Sequence, residues 1–526
     1  MACHLALLVA SAYQHGIARV GWHVRKAPPR MLSDDVYLGI DCGTQGLKVV
    51  LYDTGDKEVL SVGSVQYGLN PNAEDAPAGR AEQDPTIWIS AMLDATATAL
   101  ASACETQRCN RDTLSQRVRG IGVSGQQHGM VALDSDLQVI YPAKLWCDTE
   151  SVEEADELSQ QLGWCVVPSF TSTKLLWLKR NRPDDFARLA HVALPHDYLN
   201  YVLTGSLVME CGDASGTGLL DTLSRQWDES AVAMVDGGLL PKLPRLIGPT
   251  DLAGTLLPEL AGRMGLQAGI PVSAGGGDNM MSALGCGCAK QGRVAISLGT
   301  SGTMFAKTAA AAQDPSGVVC PFLDATGGGL PLLCTLNCAT VPEEVRAAYG
   351  LTRDQISDLA SSEPIGCEGL SFLPYLVGER TPNWPHASGA LVGLRPGHLS
   401  RPGLLYRAAL EGATFSLLKG LASMQQHGLP MDCQEIRLVG GGSKSDLWRR
   451  IIADAFGMRV TLPAEPESAG LGAALQAAAA VAGAADIGQW IIDHHDPPVE
   501  LTVDPDPSTK VELGGARWEL GGARWS

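Results

Sequence analysis

The chain has 526 residues, 45% hydrophobic and 18% charged, so it can bury extensive cores and should divide into at least two domains. A formal net charge of −18 opposes partnership with nucleic acid or acidic membrane, which needs basic patches against phosphate; a small-molecule partner fits better. Fourteen cysteines are scattered without paired zinc spacings, and even Cys286 and Cys288 lie in an apolar small-residue stretch, which reads as packed core in a reducing compartment without structural disulfides.

Residues 1–33 hold no acidic side chain but carry Arg19, Arg25, Lys26 and Arg30. This acid-poor, basic segment reads as a plastid or mitochondrial transit peptide, or else as an N-terminal extension ahead of Met31 on a cytoplasmic protein. No stretch approaches the roughly 20 apolar residues that cross a bilayer, so no membrane association is expected.

From residue 34 a first body is predicted. Val36 to Ile40 is an apolar strand, the chain turns at Gly43, and Leu47 to Tyr52 returns as a hairpin. Pro85 to Ala103 has Trp88, Ile89, Met92, Leu93 and Leu100 on one face, an amphipathic helix. Val118 to Val123 is a strand ending in Ser124-Gly125-Gln126-Gln127-His128-Gly129; Ile270 to Ser273, the glycines 275–277 and a helix from Asn279 repeat the alternation. That alternation indicates an α/β layered fold.

A second body starts at the strand Val294 to Ser297, with the boundary near residues 285–293. It continues through the strand Ile436 to Val439, the turn Gly440 to Ser443 and a helix from Asp446 with Leu447, Ile451, Ile452 and Phe456 inward. The expected division is an extension over 1–33, a first domain over 34–288, a second over 289–484 and a disordered tail over 485–526. In that tail Glu512 to Trp518 is copied by Glu519 to Trp525.

Each body opens with a similar turn after an apolar strand, Asp41-Cys42-Gly43-Thr44-Gln45-Gly46 and Ser297-Leu298-Gly299-Thr300-Ser301-Gly302. Glycine lets backbone N–H groups approach an anion closely, and the hydroxyls add donors. Two such turns facing one another would clasp a polyphosphate in a cleft between two halves that share an ancestral repeat.

Further segments occur in a fixed order: Ser169-Phe170-Thr171-Ser172-Thr173-Lys174-Leu175-Leu176-Trp177, then Phe372 to Pro382, then Gly389 to Leu394 leading to Ala408-Ala409-Leu410-Glu411-Gly412. With the turns above they resemble the FGGY carbohydrate kinases from about Val36 to Gly483, most closely the xylulose kinase group. The resemblance implies an actin-like ATPase fold, two ribonuclease-H-like domains around a nucleotide and sugar cleft. It also implies ATP-dependent, Mg²⁺-assisted phosphorylation of D-xylulose, with D-ribulose, L-ribulose or another polyol as the alternative. A catalytically silent actin-like scaffold is a further alternative, and homodimerisation stays open.

Asp278, in Gly275-Gly276-Gly277-Asp278-Asn279, is the expected general base, because phosphoryl transfer to an alcohol needs a carboxylate beside the attacking hydroxyl. The competing reading is an aspartate that caps the following helix. Asp41, at the end of the first strand, is expected to orient Mg²⁺ through its water shell, against an ordinary turn aspartate. Gln127, His128, Asp278 and Asn279 resemble the family's sugar contacts, since amide, imidazole and carboxyl groups can both give and take hydrogen bonds with a polyol. Gly43, Thr44, Gln45 and Lys48 on one side, and Gly299, Thr300, Ser301, Gly441, Gly442 and Ser445 on the other, are the expected nucleotide contacts. Two departures from the family stand out: Leu404 replaces a usual polar residue, and Glu150, in Trp146-Cys147-Asp148-Thr149-Glu150, stands where members have arginine, which puts the far side of the sugar pocket in question. The aromatic run in Phe372 to Pro382 is expected to be packing.

Overall fold

The computed structural model describes residues 35–508 except 70–76, 78, 313 and 385. The segment 1–33 and the tandem copy after Glu512 lie outside the described residues. Strands β1 (Val36–Cys42) and β2 (Gly46–Asp53) form the predicted hairpin, with Asp41 opposite Lys48, and β3 (Glu58–Gln66) adds antiparallel to β2. Helix α1 (Thr86–Gln107) covers one face, and β4 (Val118–Gly125) then runs parallel to β1 with Ser124 in register with Asp41. Strands β5 (Leu252–Thr255), β6 (Pro271–Ser273) and β7 (Gly276–Gly277) complete a sheet of order β5-β6-β4-β1-β2-β3, with β7 beside β4. Helix α2 (Asp278–Gly285) follows at once.

The second body repeats the opening. Strands β8 (Arg293–Leu298) and β9 (Gly302–Ala306) form a hairpin, β10 (Cys320–Leu323) and β11 (Gly329–Thr335) extend it, and helix α3 (Pro402–Gln426) packs against it. Then come β12 (Glu435–Val439), α4 (Asp446–Phe456), β13 (Arg459–Pro463), α5 (Ser468–Val481), α6 (Ile487–His495) and β14 (Val499–Val503), giving a sheet of order β10-β11-β9-β8-β12-β13-β14. β8 lies between its hairpin partner and parallel β12, as β1 lies between β2 and β4. In both halves a hairpin turn therefore emerges at the same edge as a parallel strand end, where open α/β sheets place ligands.

Three features correct or add to the expectations. Helix α1 is long and apolar enough by length and composition to cross a membrane, contrary to the reading that no stretch approaches this; here its apolar side is packed on the first sheet. The packing is close: a Cβ on Gly63 of β3 would lie 2.0 Å from the carbonyl oxygen of Ala95. Second, α5, in the expected second domain by chain position, packs across onto the first sheet. Its small residues let backbones touch, so a Cβ on Gly39 would lie 1.9 Å from Gly470 O and one on Gly122 would lie 2.0 Å from Ala473 O. The same helix crosses α2, where a Cβ on Gly285 would meet Ser468 O at 1.8 Å. Third, residues after 484 are not a disordered tail as far as 508: α6 buries Ile487 and Ile491, and β14 pairs antiparallel with β13 as the edge of the second sheet. All described cysteines are free, and Cys286 and Cys288 are buried in the core.

Candidate active site

The register of β1, β4 and β7 brings Asp41, Ser124 and Gly276 side by side, so Asp41 and the head of α2 occupy neighbouring strand ends. Asp41 accepts a hydrogen bond from Ser124 Oγ at 3.0 Å on one carboxylate oxygen. Asp278 is the first residue of α2, whose N-cap is Gly277, so the capping reading fails. Its Oδ1 accepts from the Asn279 amide at 2.8 Å, and Asn279 Nδ2 reaches both Asp278 Oδ1 at 3.1 Å and Gln127 Oε1 at 2.7 Å. Gln127 is thereby oriented with its Nε2 donor buried and without a partner among the described residues.

Burial, reinforced by the charges of Asp41 and Asp213, pushes the Asp278 carboxyl up to about 8. Asp41 is pushed up to about 6, chiefly by burial, with Ser124 and Lys48 opposing. Two carboxyls held apart in this way divide naturally into a proton acceptor near working pH and an anion suited to a cation.

His128 adopts a left-handed backbone conformation with φ 64°, which swings its ring inward between Phe170 and Phe322. Its Nδ1 lies 2.7 Å from Gly216 O. A carbonyl only accepts, so Nδ1 carries the proton and Nε2 presents a lone pair. Burial first, then the Lys174 cation, pushes this imidazole down to about 3 and keeps it neutral. Lys174, from the 169–177 segment, pins the loop by donating to His128 O and Ser169 O. The site thus offers a donor (Gln127 Nε2), an acceptor (His128 Nε2) and a carboxyl, the set a polyol needs.

The two glycine turns are alike in chemistry. In the first, the carbonyls of Gly43, Thr44 and Gln45 are taken by Tyr67 Oη, Gln83 Nε2 and the Tyr67 amide, while the amides of Thr44 and Gln45 donate to none of the described residues. In the second, the carbonyls of Gly299, Thr300 and Ser301 accept from the amides of Ala339, Cys338 and Gly299, and the amides of Thr300 and Ser301 are likewise free among the described residues. Successive unpaired N–H groups with their carbonyls tied back form an anion nest.

Residues 36–285 match the model of the N-terminal domain of the FGGY family of carbohydrate kinases, and residues 294–481 match that of its C-terminal domain. The chain belongs to the FGGY family of carbohydrate kinases. It is 38% identical over 454 residues to a xylulose kinase from Haemophilus influenzae, covering 84% of this chain and 90% of that protein. It is 36% identical over 492 residues to one from Streptomyces rubiginosus, covering 91% and 95%. The crystal structure of a xyloylose kinase from Brucella ovis superimposes with a TM-score of 0.83 at 33% identity, covering 92% of this chain and 98% of that one. The actin-like two-domain fold expected from the sequence is the fold of this carbohydrate kinase.

Not every expected contact of this FGGY kinase is free to act as one. Lys48 is salt-bridged to Glu467, just ahead of α5. The Thr44 hydroxyl donates to Gln126 Oε1 at 3.0 Å and accepts from Trp146 Nε1 at 2.9 Å, so the turn's backbone rather than this side chain faces the nest. Ser445 is the N-cap of α4, accepting from the Trp448 amide at 3.2 Å. Gly442 is packed, since a Cβ there would meet both Leu298 Cβ and Trp448 at 2.7 Å, whereas Gly441 opens on free space.

The Glu150 departure has a local explanation in this kinase. Lys144, wholly buried, sits among Glu82 at 3.0 Å, Asp148 at 2.9 Å and Glu150 at 2.6 Å, and Arg80 binds Glu150 with two bonds of 2.9 Å. These three carboxylates have the spacing of a metal site, but the ammonium occupies it. Sequence reading also missed His196 and Asp213, a fully buried pair at 2.6 Å behind Gly277. Burial alone would lower the His196 imidazole, but Asp197 and Asp213 outweigh it and hold it well above its ordinary value. The sequence signal for His196 was the adjacent His196-Asp197 between two apolar runs; Asp213, 17 residues further on, had none.

Proposed function

We propose that this chain transfers the γ-phosphoryl group of ATP to the terminal hydroxyl of D-xylulose, giving D-xylulose 5-phosphate. The observation that carries this reading is the convergence of the Asp278 carboxyl, the Gln127 donor that has no partner among the described residues and the neutral His128 acceptor, with an anion nest at the hairpin turn that opens each sheet. The relatives named xylulose kinase support the choice of sugar.

Mg-ATP supplies the phosphoryl group and the neutralising metal charge. Asp278 takes the hydroxyl proton as the sugar oxygen–phosphorus bond forms and the bond to the leaving oxygen of ADP breaks. Asp41 suits the metal: one of its oxygens is held by Ser124, and the other receives no hydrogen bond from the described residues, leaving it for a metal-bound water. Gln127 and His128 hold the sugar so that only one hydroxyl reaches Asp278, and the two nests fix the phosphate chain in line with it.

A coupled measurement of ADP release with D-xylulose, D-ribulose and L-ribulose tests this reading. Preference for D-xylulose is expected. Preference for a ribulose overturns the sugar assignment, and no release with any sugar brings forward a non-catalytic scaffold.

A further inference from the structure

The segment Phe372 to Pro382, expected to be packing, places a cation, Arg380, near His128. Glu379 does not pair with its neighbour Arg380. Its Oε1 accepts from the amides of Leu336 and Arg380 at 2.7 Å and of Thr381 at 3.3 Å, and its Oε2 accepts from Asn337 Nδ2 at 3.0 Å. The segment is thereby riveted to residues 336–337, and the next residues, Cys338 and Ala339, carry the Gly299–Ser301 turn on their amides. Thr381 Oγ1 adds a bond to Cys334 O at 2.9 Å, opposite Thr303 of β9. Arg380 is therefore fixed relative to the second nest.

On its other side Arg380 Nη2 meets Cys320 Sγ at 3.6 Å. Cys320 and Phe322 are alternate residues of β10, and the Phe322 ring lies tilted against His128 at 5.4 Å between ring centroids. Arg380 thus lies near His128, whose imidazole its charge helps to push down, and near Cys334, which bonds Ser301 of the second turn. No carboxylate of the described residues pairs with the guanidinium, and burial pushes the thiols of Cys320 and Cys334 up, so the thiol it touches is uncharged. A part-buried guanidinium without a counter-charge is costly unless a ligand supplies one. Neutral groups already serve the sugar hydroxyls, whereas the planar fork of arginine matches phosphate oxygens.

We propose that Arg380 is a second-lobe contact for the phosphoryl group, holding the phosphate oxygens as they arrive on the sugar between His128 and the Ser301 turn. This rests on the sugar kinase reading above. The test is calorimetric titration of D-xylulose 5-phosphate and of D-xylulose into the wild-type protein, R380M and R380K, alongside kcat and thermal melting. R380M should bind the phosphate ester about tenfold or more weakly, the loss of a charge-assisted contact, while D-xylulose binding stays within about twofold and R380K recovers part of the difference. Equal losses for both ligands, or no loss for either, overturn the proposal, and R380K decides the matter if R380M does not fold. A wild-type protein that binds neither ligand overturns the underlying function instead.

Discussion

Asn279 Nδ2 donates to Gln127 Oε1 at 2.7 Å, joining the loop after β4 to the head of α2. The side chain that follows Asp278 therefore aims the Gln127 amide, the proposed sugar contact. Gly277 makes room for it: a Cβ there would lie 2.7 Å from Gln127 Cγ and 2.9 Å from Asp213 Oδ1. G277A should push Gln127 aside and raise the KM for sugar about tenfold or more, with little change in the melting temperature. Steady-state kinetics over a range of sugar concentrations checks this.

Replacing Asp278 by asparagine removes the proton acceptor and keeps its shape. Turnover should fall by about 10²–10⁴-fold, the range for a general base. Because Gly277 is the cap, the fold should persist. Residual activity within tenfold of wild type would rule out the role.

The raised carboxyl also gives the same variant a signature in stability. A folded value of about 8, above the ordinary aspartate value of 3.8, means that the fold favours the protonated form, so stability is lost as pH rises between these values. D278N should melt above the wild-type protein at pH 8, and the gap should close near pH 4. In the active protein, kcat/KM should rise with pH as the Asp41–Asp278 pair, at about 6 and about 8, loses its protons. A flat profile from pH 6 to 9 would contradict this.

His128 combines a left-handed backbone with a proton held on Nδ1. Asparagine tolerates that conformation and can still donate to Gly216 O, but it lacks the lone pair of Nε2. H128N should fold and raise the sugar KM by about 10-fold or more, with a smaller effect on kcat. Melting curves and kinetics together separate this from a purely structural role.

Lys144 neutralises three carboxylates and lies 3.9 Å from the Trp177 ring centroid. K144M leaves those charges buried without it and should cost about 3–5 kcal/mol, read from denaturant unfolding. E150R, the substitution toward the family's usual residue, should also destabilise, because it sets a third cation against Arg80 and Lys144.

The parts legible in the chain were those with a local cause. Val36–Asp53 and Arg293–Ala306 declare themselves as hairpins because apolar strands flank a glycine turn, and Asp278 stands out because three glycines clear space before it. Those features made the two-lobed fold and both turns legible and singled out Asp278 as the candidate base. What the tertiary structure alone decided is which side chains and surfaces pair. Lys48 is taken by Glu467, Glu150 by Arg80 and Lys144, and Asp213 by His196; α5 lies on the first sheet because its small residues fit β1 and β4; Glu379 is spent on backbone amides and Asn337 rather than on Arg380. Such pairings, near or far in the chain, depend on which surfaces the packed cores bring together, and no local pattern encodes them.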